Sequence, residues 1–215
     1  WREGGSSNAM SYKETSTTYK GGERMQTKLE LITRRARENP KMRFTSLAHH
    51  LGEGFLLECF QELKKDKAPG VDGVTVREYE ERLEENLKEL AVRLKGKKYR
   101  PQPVRRVYIP KDEKSVRALR IPTIEDKIVQ MGIKKILEAI YEQDFVEVSY
   151  GFRPNRSCHD ALEVVDKTIM TKPVNYVVDM DIEKFFDTVD YKWMMECLEQ
   201  RIADPSFLRL IGRFL

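Results

Sequence analysis

Residues 176–187 read Tyr-Val-Val-Asp-Met-Asp-Ile-Glu-Lys-Phe-Phe-Asp, an apolar run that ends in carboxylates. Side chains alternate between the two faces of a β-strand, so a strand here would carry Asp179 and Asp181 on the same face. A buried carboxylate without a partner is costly, and a divalent cation held by carboxylates and substrate phosphates would compensate for it. The pattern predicts a strand that delivers Asp181 to a metal. The alternative is a strand end whose aspartates meet solvent or a lysine.

Basic residues are concentrated in one part of the chain. The 215 residues carry a net charge of +4, but residues 95–120 contain ten basic and two acidic residues, a net charge of +8. The rest of the chain therefore sums to −4. A concentrated basic block of this kind indicates a polyanionic partner such as a nucleic acid.

Other residue classes exclude several kinds of protein. Cys59, Cys158 and Cys197 are far apart and form no C-x-x-C pair, which is typical of reduced thiols and argues against a zinc site. The three histidines have no metal-ligand spacing either. No apolar run approaches the roughly 20 residues of a membrane span, and we expect no membrane partner.

Local patterns predict an α+β fold, a small antiparallel sheet with flanking helices. Helical spacing of apolar residues predicts helices over Met25–Asn39, Phe55–Lys65 and Trp193–Ile202. A capping box of Thr75 and Glu78 predicts a further helix that ends at Gly96. Its buried stripe is expected to be Leu83, Leu87, Leu90 and Leu94.

Two more helix starts follow from Thr123 and from the pair Ser157 and Asp160. The first of these helices is expected to bury Val129, Ile133, Ile136 and Ile140. In the second helix, we expect the inward-facing side chains to be Leu162, Val165 and Ile169.

A basic hairpin is predicted at about 104–121. Val104–Ile109 reads as a strand ended by Pro110, residues 111–115 as the turn, and Val116–Ile121 as the returning strand. We expect one face to be buried and the other to be strongly cationic. The cations are Arg105, Arg106, Lys111, Lys114, Arg117 and Arg120, and the face expected to be buried carries Val104, Val107, Ile109 and Leu119.

The hairpin complements the acidic strand chemically. Lysine offers a point charge and arginine a bidentate fork, so Lys111 and Arg117 could together hold a triphosphate. The alternatives are a solvated charged hairpin or a general contact with an RNA backbone. Phe186 follows Asp181 by five residues, and a ring beneath an incoming sugar would exclude a 2′-hydroxyl by sterics. Core packing is the other interpretation of Phe185 and Phe186, and we expect it to hold for at least one of them.

Five sequence blocks in order give this chain a resemblance to a known family. It resembles the group II intron-encoded reverse transcriptase/maturase family over about residues 55–190, and five ordered blocks are far more specific than one. The blocks are Ala-Pro-Gly-Val-Asp-Gly at 68–73, Tyr-Arg-Pro-Gln-Pro-Val-Arg-Arg-Val-Tyr-Ile-Pro-Lys at 99–111, Arg-Ala-Leu-Arg-Ile-Pro-Thr-Ile-Glu-Asp-Lys-Ile-Val-Gln at 117–130, Ser-Tyr-Gly-Phe-Arg-Pro-Asn-Arg-Ser at 149–157, and Val-Asp-Met-Asp-Ile-Glu-Lys-Phe-Phe-Asp at 178–187.

The resemblance implies a right-hand polymerase with fingers and part of the palm, and RNA-directed DNA synthesis at a two-metal Mg²⁺ site. It implies Asp181 as the catalytic carboxylate, with Ile182 contributing its backbone to the metal site. The nucleotide would be bound by Lys111, Arg117, Phe186 and Arg105. The RNA template would be bound by Arg106, Arg120, Tyr150, Gly151, Phe152, Arg153, Pro154, Asn155 and Arg156, although Arg120 stands where the family often has a glycine.

The implied partners are group II intron RNA, an RNA template with a DNA primer, and dNTPs, with a homodimer as a further expectation. The implied location is the bacterial cytoplasm, at the nucleoid or in a ribonucleoprotein. We divide the chain into a vector-derived stretch (1–9), a partly flexible N-terminal extension (10–54), fingers (55–172) and the start of the palm (173–215). The family's second catalytic block, an aromatic-Ala-Asp-Asp turn, is absent, since no Asp-Asp pair occurs. We therefore expect a piece of a longer protein that binds RNA but does not polymerise alone.

Three alternatives remain open. The chain could be a non-catalytic RNA-binding splicing factor, or a related reverse transcriptase of a CRISPR locus or a diversity-generating element. Asp179-Met-Asp181 could also be the Asp-x-Asp of a sugar-nucleotide transferase, although a lone three-residue motif is weak.

Overall fold

The computed structural model describes residues 22–110 and 116–215, with side chains described from residue 26 onward. It is rich in helices and contains a small two-stranded antiparallel sheet, which confirms the α+β prediction. The helices are α1 (Gly22–Glu38), α2 (Glu53–Gln61), α3 (Val76–Glu80), α4 (Leu83–Lys95), α5 (Ile124–Tyr141), α6 (Cys158–Thr171), α7 (Phe185–Thr188), α8 (Tyr191–Glu199) and α9 (Pro205–Gly212), with a 3₁₀-helix at Ala48–His50. The strands are β1 (Arg105–Pro110) and β2 (Val116–Ile121).

Helix α5 is the centre of the hydrophobic core and packs against α1 and α2. Thr123 caps it by accepting a hydrogen bond from the Asp126 amide, as predicted. The predicted stripe is confirmed, since Val129, Ile136 and Ile140 are fully buried and Ile133 nearly so. Burying each of these side chains contributes about 1.5–3 kcal/mol.

The helix predicted from Thr75 is two helices. The capping box of Thr75 and Glu78 is present, but α3 ends at Glu80 and α4 begins at Leu83. Arg82, with a φ of −125° and a ψ of 38°, is not helical and separates the two, so all four residues of the predicted stripe lie in α4. Leu87 and Leu90 are its buried members.

The C-terminal helices are joined to the N-terminal ones by polar contacts. Phe44 forms a parallel bridge with Ile202. The Arg201 guanidinium donates to the carbonyls of Ala36 and Pro40 at the end of α1 and lies 3.3 Å from an Asp144 carboxylate oxygen. Asp204 caps α9 and also accepts hydrogen bonds from the backbone amides of Leu47 and Ala48. Residues 201–212 thus pack into the same body as α1.

Two sequence predictions are wrong. Residues 176–182 form no strand, because a strand needs a neighbour to pair its backbone and β1 and β2 pair only with each other in the described sheet. The face of α6 expected to point inward is exposed, with Leu162 63% and Val165 52% accessible. A helix buries an apolar face only against a partner, and within the described residues this face stays uncovered.

The hairpin forms with the predicted strands, but its expected buried face is not buried. Val104, Ile109 and Leu119 are each about two fifths exposed, and Val107 is half-buried. Within the described residues this two-stranded ribbon is covered only in part, so alternation alone does not bury a side. Within the described residues, no helix combines the length and apolarity that crossing a membrane would need.

Candidate nucleotide and nucleic-acid site

The register of β1 and β2 sorts the hairpin cations into two groups. Arg106 lies directly opposite Arg120, and Ile109 lies opposite Arg117. Because side chains alternate along a strand, Arg105 and Arg117 share one face and Arg106 and Arg120 share the other. Like charges directly opposite each other are destabilising, so the second face favours a counter-charge.

Asp187 supplies that counter-charge. Its Oδ1 lies 3.5 Å from Arg120 Nη2, and both side chains are more than half exposed. Lys184, immediately before α7, has a left-handed backbone with φ of 50°, and this bend starts the turn that carries Asp187. Asp181 lies six residues before Asp187 in the chain.

Arg117 and Arg105 differ in their surroundings. Arg117 is exposed, and within residues 22–110 and 116–215 no acidic group lies within ion-pair distance of it. Arg105 is half-buried, and its Nε has no hydrogen-bond partner among the described residues. A buried donor without a partner is unfavourable, which favours a ligand at this position. Lys111 lies outside the described residues.

Asp181 and its neighbours are exposed. No ion pair joins Asp179 or Asp181 to another described residue, so Asp181 is not sealed against an internal arginine. The described residues contain no group of three metal-ligating side chains. The exposed Asp181 carboxylate is of the ligand type that Mg²⁺ takes, together with substrate phosphates.

Phe185 and Phe186 pack against each other rather than in the core. Their ring centroids are 5.4 Å apart in an edge-to-face arrangement, and Phe186 is 75% exposed. The expectation that one of the two is a core residue is wrong, because α7 lies on the surface of the described structure. The Phe186 ring is free to contact a ligand.

The loop at residues 149–156 divides into an internal and an external part. The Arg153 guanidinium is 7% exposed and donates to Glu142 Oε1 at 2.7 and 3.0 Å and to the carbonyls of Val146 and Ser149. The predicted RNA contact of Arg153 is therefore corrected: its donors hold the loop instead. Arg156 lies over the Tyr150 ring at 5.2 Å and donates to the Glu147 carbonyl. The exposed positions are Gly151, Phe152, Pro154 and Asn155.

Comparison with known proteins identifies the family of this chain. Residues 109–215 match the family model described as "Reverse transcriptase (RNA-dependent DNA polymerase)". The group II intron-encoded protein LtrA of Lactococcus lactis subsp. cremoris is 36% identical over 189 residues, which cover 87% of this chain and 31% of LtrA. The chain belongs to the group II intron-encoded reverse transcriptase/maturase family.

Two further relatives support the assignment to this reverse transcriptase/maturase family. Protein YkfC of Escherichia coli (strain K12) is 39% identical over 148 residues, covering 67% of this chain and 39% of YkfC. Nuclear intron maturase 1, mitochondrial, of Arabidopsis thaliana is 33% identical over 92 residues, covering 42% of this chain and 12% of that protein. The chain spans about a third of the length of LtrA.

Sequence reasoning missed one buried carboxylate of this reverse transcriptase chain. Asp126 is 2% exposed and accepts hydrogen bonds from the Tyr99 hydroxyl, the Thr123 hydroxyl and the Gln102 amide. The spacing Thr-x-x-Asp at residues 123–126, a capping-box spacing, was the available signal.

Proposed function

We propose that this protein is an RNA-directed DNA polymerase of a mobile group II intron that also binds its intron RNA as a splicing maturase. Residues 55–172 would form the fingers of a right-hand polymerase, with the basic hairpin, and residues 173–215 the first part of its palm. The observation that carries the proposal is the Arg120–Asp187 contact, which supports the approach of the Asp181 segment to the cationic hairpin.

The nucleotide site would lie beside the hairpin, on the Arg105 and Arg117 face, which is opposite to the face that Asp187 contacts. Arg117 and Lys111 would bind the triphosphate, since arginine and lysine are the side chains that recognise phosphate. The half-buried Arg105 shares the Arg117 face and would donate from its unpartnered Nε. The exposed Phe186 ring would lie beneath the sugar and exclude a 2′-hydroxyl.

The metal site would include Asp181 and the Ile182 backbone. Mg²⁺, when bound, would activate the primer 3′-hydroxyl and stabilise the leaving pyrophosphate. A two-metal site needs more carboxylates than this chain supplies, so we expect the chain alone to bind RNA without extending a primer. Asp181 would hold the metal with its carboxylate, and its exposure supports that role.

The RNA template would run along the other face of the hairpin and the outer side of the 149–156 loop. Arg106 and Arg120 would contact template phosphates, and the exposed loop residues are Gly151, Phe152, Pro154 and Asn155. Tyr150 and Arg156, stacked together, would border this path. A homodimer and a place in the bacterial cytoplasm, at the nucleoid or in a ribonucleoprotein, stay predictions.

A non-catalytic splicing factor is the second candidate. The absence of a three-ligand metal group among the described residues favours it. Pure RNA binding, however, does not need an exposed Asp181 beside an exposed Phe186. The two candidates therefore differ in what the loss of Asp181 does.

Primer extension separates them. In a protein that contains this chain and has the length of its relatives, Asp181→Ala should abolish DNA synthesis on a primed RNA template while leaving RNA affinity within about twofold. Asp166→Ala, which removes an exposed carboxylate on α6, is the matched control and should leave synthesis unchanged. Equal synthesis by the Asp181→Ala protein and the wild type would overturn the proposed polymerase site.

A further inference from the structure

A single buried carboxylate holds both ends of the basic hairpin. Asp126 Oδ1 accepts from the Tyr99 hydroxyl, and its Oδ2 accepts from the Gln102 amide at 3.2 Å and from the Thr123 hydroxyl at 2.8 Å. Tyr99, Thr123 and Asp126 are each at most 2% exposed. This network lies at the first turn of α5, in the core.

The three donors come from both sides of the hairpin. Tyr99 and Gln102 precede β1, which begins at Arg105, and Thr123 follows β2, which ends at Ile121. Asp126 therefore fixes the chain as it leaves the core and again as it returns. Burial, the hydrogen bond to Asp126 and the nearby carboxylates raise the pKa of Tyr99, so its hydroxyl keeps its proton and remains a donor.

Further contacts hold the root of the hairpin, meaning the residues just before β1 and just after β2. A Cβ on Gly70 would lie 2.7 Å from the Thr123 Cα, so the 68–73 loop lies directly against the end of the hairpin. Lys127 donates to the Ala68 carbonyl at 3.2 Å. On the other side, Arg213 of the α9 end donates to the carbonyls of Tyr99 and Lys97.

Along its length, the only ion pair between the hairpin and another described part of the chain is that of Arg120 with Asp187, and both side chains are more than half exposed. All its residues except Arg105, Val107 and Ile121 are exposed. The direction in which it projects is therefore set at its root. A fully satisfied buried polar network fixes a geometry that apolar packing of the same volume would leave less specific.

We propose that Asp126 is a positioning residue, which sets the direction of the hairpin and thereby the alignment of Arg105 and Arg117 with the nucleotide. The second half of this statement rests on the proposed function, because it takes those arginines to bind a triphosphate. The first half concerns the hairpin alone and is tested without activity.

The direction of the hairpin is measured by the distance between two spin labels on the full chain. The labels are placed at Ala118→Cys in β2 and Lys134→Cys on α5, after the exposed Cys158 and Cys197 are changed to serine. Asp126→Ala should widen the distance distribution at least about twofold. Asp126→Asn keeps the shape of the side chain and one acceptor oxygen, so its distance distribution should stay close to that of the wild type.

Leu56→Ala, a core change in α2, is the control for lost stability and should leave the distribution unchanged. An unchanged distribution in Asp126→Ala overturns the proposal, and so does equal widening in Leu56→Ala.

Kinetics of single-nucleotide incorporation test the second half in a protein with the length of its relatives. Asp126→Ala should raise the KM for the dNTP about tenfold, with a smaller change in kcat. The KM of Asp126→Asn should stay within about threefold of the wild-type value, and Leu56→Ala should not change the KM.

Arg117→Ala is measured beside these variants. If Arg117→Ala raises the KM and Asp126→Ala does not, the positioning role is wrong and the proposed function stands. If Arg117→Ala leaves the KM unchanged, the proposed nucleotide site is wrong, and the spin-label result alone then decides whether Asp126 directs the hairpin.

Discussion

Arg120 Nη2 lies 3.5 Å from Asp187 Oδ1, and this contact joins the basic hairpin to the segment that carries Asp181. Arg120 also faces Arg106 across the sheet, so Asp187 offsets the repulsion between two cations.

The Arg120–Asp187 pair should contribute little to stability, because both side chains are more than half exposed. A double-mutant cycle of Arg120→Ala and Asp187→Ala should give a coupling free energy of about 0.2–1 kcal/mol that declines with added salt. Urea denaturation at low and high ionic strength measures it. Arg106 has no acidic partner among the described residues, so a cycle of Arg106→Ala with Asp187→Ala should give less coupling. A coupling that salt leaves unchanged would contradict an exposed ion pair.

Arg201 should be among the most costly charged residues to remove. Its side chain is 5% exposed and connects α1 carbonyls with Asp144, so Arg201→Ala leaves several buried acceptors without a donor. We expect a loss of about 3 kcal/mol in the free energy of unfolding. Arg209→Ala, at an exposed position on α9, is the control and should cost little. Equal losses for the two variants in chemical denaturation would refute this role of Arg201.

Asp204 should make stability depend on pH. Burial alone would raise the pKa of Asp204, but hydrogen bonds from the amides of Ala48, Leu47, Phe207 and Ser206 outweigh it and lower the pKa. A lowered pKa in the folded state means that the stabilisation is fully present above the unfolded value of about 3.9 and is lost as the pH falls through the folded value. Asp204→Asn should therefore cost about 1–2 kcal/mol at neutral pH.

The pH profile distinguishes this ionic contribution from simple helix capping. The difference in stability between wild type and Asp204→Asn should shrink as the pH is lowered below the ordinary aspartate range. A difference that stays constant down to the acid limit of folding would show that the charge is irrelevant. Thermal unfolding across a pH series measures the difference.

Gly70 should resist substitution for steric reasons. A Cβ at this position would lie 2.7 Å from the Thr123 Cα and 2.8 Å from its nitrogen, and backbone atoms cannot move away cheaply. Gly70→Ala should cost roughly 1–3 kcal/mol of stability. Gly151→Ala meets no atom within 4 Å and is the control. If both glycines tolerate alanine equally, the loop does not lie against the hairpin root as described.

The sequence predicted the elements whose signals are local. The capping boxes at Thr75 and Ser157, the apolar stripe of α5 and the hairpin all depend on neighbouring residues, and all are present. The strand at 176–182 and the inward face of α6 depend on partners distant in the chain, and local patterns do not show whether a partner is there.

The candidate site divides in the same way. Residue types are the basis for the chemistry proposed for Asp181 and Arg117, but they did not predict that Arg153 donates to Glu142 and to two carbonyls. An arginine in a basic motif has the same identity whether it faces RNA or its own loop. Asp126 was missed because its three donors lie up to 27 residues away and meet only in the folded chain.

We propose that the hairpin cations hold the triphosphate of a nucleotide whose reacting end lies at Asp181. Photocrosslinking tests this placement of the triphosphate. The experiment uses a dNTP that carries a photoreactive group on its γ-phosphate. The protein has the length of its relatives, and Mg²⁺ and a primed RNA template are present. We predict that mass spectrometry will locate the crosslinks within residues 104–121, that Arg117→Ala will remove most of them, and that Arg100→Ala, an exposed basic residue outside the hairpin, will not. Crosslinks that fall mainly outside residues 104–121, or that do not depend on Arg117, would show that the hairpin cations do not hold the triphosphate.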